Sequence, residues 1–353
     1  MTEGITYRIG FDVAKGVFQA HAVKNEAGEP VAFTKRLKRA QVERFFATLA
    51  RSLIGMEACG SAHYWARVAR KYGHEVRLMP PAYVKPYVKR NKSDPLDAEA
   101  ICEAVGRPTM RFVPVKSEAD QATMMLHRMR ASFVERRTAA ANQLRAALAE
   151  FGIVTATGAR GLSDLLALIE TETERFLALP AALRLVLAEL ARQWRSCDAV
   201  VRRMDAQIAA GVRKNERARR LTSVPCIGPL GASALEVMLG NPHVFQSGRH
   251  FAAFLGLTPR EDSSGKTVRR GPITKKGDTY MRRILVLGAT SYLARVRRGL
   301  MRSSPAWVVK MAAHPKRKLA AVALANKTAR IAWAMLAKNE EYRAPAAAAL
   351  QAA

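Results

Sequence analysis

Three runs of alternating side chains open the chain, and they constrain its fold more than any other feature. Tyr7 to Phe11, Val17 to Val23 and Val31 to Leu37 each read as a strand, and short glycine-containing turns join them into a β-meander. A helical pattern follows from Gln41 to Leu49, then a strand from Leu53 to Met56 and a helix from Tyr64 to Lys71. A strand from Glu75 to Leu78 comes next, and a helix opens at Asp94-Pro95.

Three strands followed by alternating helix and strand is the order expected of a ribonuclease-H-like α/β domain. From about Glu118 to Arg220 the pattern turns almost wholly helical, with interruptions at Gly152 to Gly161 and near Pro180. Within it Leu183, Leu187, Leu190, Trp194, Cys197, Val201, Met204 and Ile208 step by alternating fours and threes. That spacing is the seam of a coiled coil, a helical hairpin or an ordinary bundle helix. A third, mostly helical unit starts at Leu221, and the alanine-rich end reads as a flexible tail. The expected fold class is therefore α/β plus α, divided into residues 1–115, 116–220, 221–340 and a tail of 341–353.

Lys and Arg number 58 against 29 Asp and Glu, a formal charge of +29. A field of that size on a chain that is 49% hydrophobic, with long folded segments, calls for a polyanionic partner, and nucleic acid is the ordinary one. A ribosomal-type protein or a membrane-surface protein is the plainer alternative. Cys59, Cys102, Cys197 and Cys226 lie far apart with no CxxC pair, which argues against a zinc ribbon or a disulfide framework. No stretch resembles a membrane span or a signal peptide, so the expected location is the cytoplasm.

Two acids end strand-like runs. Asp12 closes RIGFD and Glu57 closes LIGME, and acids that end two strands of one sheet can converge on one cation. Asp12 alone could equally be a turn residue. Asp94 and Asp97 in KSDPLDAEAI fit helix capping, with Pro95 in the first turn, yet their spacing of three also puts both carboxylates on one helix face. Four oxygen donors suit Mg²⁺ or Mn²⁺.

Toward the other end, LTSVPCIGPLG is similar to the Pro-x-Ile-Gly turn of helix-hairpin-helix modules, or is a plain tight turn. Beyond it lies TPREDSSGKTVRRGPITKKGDTYMRRIL. Ser263 and Ser264 there precede a glycine, amid Arg260, Lys266, Arg269, Arg270, Lys275, Lys276, Arg282 and Arg283, the candidate nucleic-acid contacts. A basic loop that only touches DNA backbone is the simpler reading. A serine nucleophile, with no triad in sight, would depend on nearby cations.

These segments resemble the DEDD-type transposases of the insertion-sequence 110 family, relatives of the Piv-type DNA invertases. GFDVAKGVFQAHAV, IGMEACGSAHYWAR and KSDPLDAEAI are similar to the family's ordered acidic motifs, and VPCIGPLGASAL, the serine segment and ALANKTARIAWAML are similar to its C-terminal transposase domain. The resemblance implies a RuvC-like catalytic domain with Asp12, Glu57, Asp94 and Asp97 as metal ligands, a helical coiled-coil insertion that dimerises, and a C-terminal domain carrying a catalytic serine. That serine falls on Ser264, with Ser263 as the fallback, and would join covalently to DNA. The resemblance further implies donor and target double-stranded DNA, a structured bridge RNA, and a homodimer or homotetramer in which one subunit's serine completes another's acidic site. A Holliday-junction-type nuclease, a Piv-like invertase and a non-catalytic binding scaffold are the alternatives.

Overall fold

The computed structural model describes residues 4–26, 28–88, 94–264, 267–301, 303–343 and 347–349. The chain divides into two compact units, residues 1–120 and 121–353.

The first unit is built on a five-stranded sheet of β1 (Tyr7–Asp12), β2 (Val17–Lys24), β3 (Val31–Lys38), β4 (Ser52–Glu57) and β5 (Glu75–Met79), in the order β3-β2-β1-β4-β5. The meander pairs antiparallel, whereas β1, β4 and β5 run parallel. The sequence order thus becomes the strand order expected of a ribonuclease-H-like sheet. On one face, α1 (Val42–Thr48) and α2 (Ala62–Lys71) close a core of Ile9, Phe11, Phe18, Phe46, Ile54 and Trp65. Phe11 stacks on Phe18, and Phe18 meets Trp65 edge-on, so aromatic rings interlock at the centre of this core.

The short helix α3 (Pro81–Val84), a 3-10 turn at Lys85–Tyr87 and helix α4 (Asp94–Val105) follow β5. Helix α4 lies against β1 and β4, and two glycines set its distance. Gly10 and Gly55 are partners across the parallel pair, side by side. A Cβ at position 10 would stand 1.9 Å from the Ala98 carbonyl oxygen, and one at position 55 would stand 2.7 Å from Cβ of Val105. No side chain fits there, so α4 rests directly on the strand backbones.

The second unit begins within α5 (Glu118–Ala149) and continues through α6 (Ala159–Glu170), α7 (Glu174–Leu177) and α8 (Ala181–Lys214). Ion pairs Arg130–Asp205 and Arg137–Asp198 lie seven residues apart on each long helix and in opposite directions, which fixes α5 and α8 as antiparallel. Asp198 is buried and accepts from Arg137 at 2.6 Å and from Arg202 at 2.7 Å. The heptad-spaced residues do share a face. Leu187 packs with Leu144, Leu148, Leu162 and Leu165 of α5 and α6, and Leu183, Leu190 and Trp194 flank that core.

A second core in this unit collects α9 (Glu216–Leu221), α10 (Pro229–Leu239) and α11 (Gly248–Phe254) with the later helices. Strands β6 (Pro259–Glu261) and β7 (Arg270–Ile273) form a hairpin. They are followed by α12 (Thr279–Arg297), β8 (Ser303–Pro305), α13 (Ala306–Ala312), α14 (Arg317–Lys338) and β9 (Ala347–Ala349). Ala347–Ala349, which composition assigns to a flexible tail, pair antiparallel with Ser303–Pro305. Among the described residues no helix is long and apolar enough to cross a membrane.

Candidate functional site

Asp12 and Glu57 each stand two residues beyond the paired glycines, Gly10 and Gly55, on adjacent parallel strands. Side chains repeat every second residue along a strand, so both acids emerge on the face that α4 covers. Neighbouring strands lie about 4.8 Å apart, which puts the two carboxylates side by side at the strand ends.

Asp97 comes from the other direction. It occupies the first turn of α4, one residue before the Ala98 carbonyl that rests on Gly10. Asp12, Glu57 and Asp97 line one cleft of about 600 Å³, together with Pro81, Ala82, Lys85 and Val88. Asp94 is also in the first turn but is exposed and does not line the cleft. Both α4 acids sit at the positive end of the helix dipole, where negative charge is favoured.

The thiol of Cys59, which lies at the surface, registers the local field. Partial burial of its sulfur raises its pKa, and the charges of Glu57 and then Asp12 raise it further. The cleft offers hard oxygen donors, the set that suits a hard divalent cation. Among the described residues, no three His, Cys, Asp or Glu side chains are placed so as to hold a metal ion between them.

The serine pair lies in the second unit, on the β6–β7 hairpin. Asp262 N donates to Arg269 O at 3.0 Å, and Ser264 and Thr267 exchange backbone hydrogen bonds of 3.2 and 3.0 Å, so the ladder runs past the strands to Ser264. The two hydroxyls differ. Ser263 Oγ donates to Glu261 Oε1 at 3.3 Å and accepts from Arg269 N at 3.2 Å. Ser264 is exposed, and its hydroxyl has no hydrogen-bond partner among the described residues.

Around the hairpin, Arg260, Arg269, Arg270, Lys275 and Lys276 are exposed. Lys266 lies outside the described residues. Arg282 is half-buried, donating to Leu255 O at 3.1 Å and to Thr279 Oγ1 at 3.2 Å, and Arg283 pairs with Glu135 at 3.1 Å. Those two cations are therefore partly committed to holding α12 in place.

Several positions that build these sites carried no chemical signal in the sequence. Gly256 and Gly277, both with positive φ, face each other's backbone, where added Cβ atoms would come within 2.1 Å of Lys276 O and 1.9 Å of Phe254 O. This contact seats the base of the hairpin on the end of α11. Asp278 caps α12 by accepting from Met281 N at 2.8 Å. Behind it, fully buried His127 bridges Tyr280 OH at 2.8 Å and Ser233 Oγ at 3.0 Å, joining α5, α12 and α10. Burial, and then the charge of Arg130, pull the His127 pKa down to about 4, and burial pushes Tyr280 up to about 12. The one signal that could have exposed the glycine pair is the repeat Gly-x-acid at Gly10–Asp12 and Gly55–Glu57.

Known proteins place these features in a family. Residues 9–153 match an IS110-type DEDD model described as "Transposase", and residues 218–304 match the model described as "Transposase IS116/IS110/IS902 family". The chain is 46% identical to a "Probable family 20 transposase" of Pseudomonas aeruginosa, over 95% of this chain and 98% of that protein. It is 37% identical to the "Transposase for insertion sequence element IS1111A" of Coxiella burnetii, over 95% of this chain and 91% of the relative. A "Pilin gene-inverting protein" of Moraxella lacunata is more distant, 23% identical over 80% of this chain and 81% of its own length. The chain belongs to the IS116/IS110/IS902 family of transposases, enzymes that act on DNA.

Proposed function

We propose that this transposase cuts and rejoins DNA with Asp12, Glu57 and Asp97 as ligands of a divalent cation, Asp94 as an accessory ligand, and Ser264 as the nucleophile. The observation that carries the proposal is the convergence of Asp12, Glu57 and Asp97 on one cleft from two strand ends and a helix start. Mg²⁺ or Mn²⁺ bound there would stabilise the negative charge that builds on a phosphate under attack. Such ions complete their shell with water and substrate phosphate, so the protein need supply only part of it.

In the serine step, the Ser264 oxygen forms a bond to phosphorus as the bond from phosphorus to one deoxyribose oxygen breaks. The hydroxyl proton ends on the released sugar oxygen. Because the phosphodiester count is conserved, a sugar hydroxyl from another strand can reverse the step and rejoin DNA without external energy. The unengaged hydroxyl of Ser264 supports its choice over Ser263, whose oxygen is held in the hairpin. Exposed Arg260, Arg269, Arg270, Lys275 and Lys276 supply backbone contacts for DNA, with Lys266 beside the serine in sequence.

In this proposal a structured bridge RNA pairs with donor and target DNA, and a homodimer or homotetramer brings one subunit's serine to another's acids. The +29 charge supports a nucleic-acid load larger than one DNA site. The name of the Moraxella relative makes inversion of a DNA segment the neighbouring outcome of the same chemistry.

The test is a denaturing gel of the protein incubated with its element ends and Mg²⁺. Wild type and Ser263→Ala should form a protein–DNA adduct, and Ser264→Ala and Asp12→Asn should form none. Cleavage without any adduct in the wild type would mean that water is the nucleophile and would remove Ser264 from the mechanism. Recovery of no RNA with the protein from its host would remove the guide.

A further inference from the structure

A basic groove in the second unit, away from the serine hairpin in sequence, lies between α11 and α14. Lys327 and Arg330 are three residues apart and share a face of α14, and Arg249 projects from α11 into the same groove of about 520 Å³. Gly248 makes this arrangement possible. A Cβ there would stand 3.0 Å from Arg330 O, so the start of α11 sits directly on the α14 backbone and brings Arg249 beside Arg330.

Among the described residues, no acidic residue lines this groove and none of the three cations has an ion-pair partner. Some cations of the same unit do meet a carboxylate, among them Arg130, Arg137, Arg195 and Arg220. Lys327 is half-buried with Nζ held 3.7 Å from the centre of the Trp307 ring, so its charge is fixed in place by a cation–π contact. Its pKa is lowered, first by burial and then by the charge of Arg330. Together the three cations give the groove a positive field that favours a bound anion. The apolar side chains Ile331, Trp333 and Ala334 also line the groove.

We infer that this groove binds an unpaired nucleic-acid strand, with Arg249, Lys327 and Arg330 on its phosphates and the apolar lining against a base or sugar. A concave site with an apolar lining fits a splayed nucleotide, whose faces are open to contact, better than a duplex, whose bases are stacked inside. The strand can be RNA or DNA, since both present the same phosphodiester. The inference rests on the chain acting on nucleic acid and on neither the acidic cleft nor Ser264.

Binding of full-length protein to labelled single-stranded RNA, single-stranded DNA of the same sequence and duplex DNA, without divalent metal, tests it. The double variant Lys327→Gln/Arg330→Gln should bind at least one of the single strands about tenfold more weakly. Its log K against log salt slope should be shallower by about 1.4, at about 0.7 per lost phosphate contact. The duplex should be affected much less. Exposed Arg249→Gln, which leaves α14 packing untouched, should weaken the same strand, and Lys327→Arg/Arg330→Lys should retain it. The strand that loses more identifies the ligand as RNA or DNA. Unchanged affinity for both single strands, an equal loss for duplex, or no effect of Arg249→Gln would overturn the inference.

Discussion

Gly10 and Gly55 lie side by side on adjacent parallel strands, and the absence of both side chains lets α4 rest on the sheet backbone. Asp12 and Glu57 stand two residues further along the same strands, so the contact that seats the helix also sets where Asp97 meets them. The geometry of the acidic cleft is thus fixed by two residues that contribute no functional group.

Gly10→Ala should therefore disturb both fold and site. The new methyl would meet backbone at 1.9 Å, and backbone cannot yield as a side-chain end can. Overpacking of this kind costs about 1–3 kcal/mol or more. Urea unfolding should show that loss, together with impaired DNA cleavage, whereas Gly16→Ala, with nothing within 4 Å of the added atom, should leave the midpoint within about 0.5 kcal/mol of wild type.

Buried His127 should make stability depend on pH. Its pKa falls from 6.5 to about 4 on folding, so above 6.5 it is neutral in both states and its contacts with Tyr280 and Ser233 contribute fully. As pH drops from about 6.5 toward 4, the unfolded chain takes up a proton that the folded chain refuses. Stability is lost over that window, by no more than about 3 kcal/mol. Urea midpoints at pH 7 and pH 4.5 should differ less in His127→Gln than in wild type.

Asp198→Ala should loosen the long helical pair. The carboxylate is buried between Arg137 on α5 and Arg202 on its own helix, and its loss strands Arg137 without a partner. Breaking a fully buried pair from one side costs about 3–5 kcal/mol, but the arginines left behind here are 31% and 76% exposed, so the expected loss is smaller, about 1–2 kcal/mol. Thermal unfolding of the variant measures it.

Much of the first unit is legible because its signals are local. Alternation at Tyr7–Phe11 and Val17–Val23 writes strands directly, and acids that end two apolar runs mark a sheet rim. The close packing at Gly10 and Gly55 is hidden because a glycine in a strand reads as a weakness until the helix above it is placed. The stripe from Leu183 to Ile208 announces a buried face, but the sequence does not say that residues of α5 and α6 cover part of it. That Arg282 and Arg283 also have partners within the protein is hidden in the sequence, because Leu255 and Glu135 lie 27 and 148 residues away. Asp94 and Asp97 are equivalent by spacing, and only the approach of α4 to β1 separates the one that lines the cleft from the one that does not.

The central claim is that Asp12, Glu57 and Asp97 serve one cation. Titration of the protein with Mn²⁺, followed by the electron paramagnetic resonance signal of the free ion, tests it without any need for DNA. Saturable binding to wild type that is lost in both Asp12→Asn and Glu57→Gln, with unfolding midpoints retained, is the predicted result. Equal binding by wild type and both variants would show that the cleft does not hold the metal.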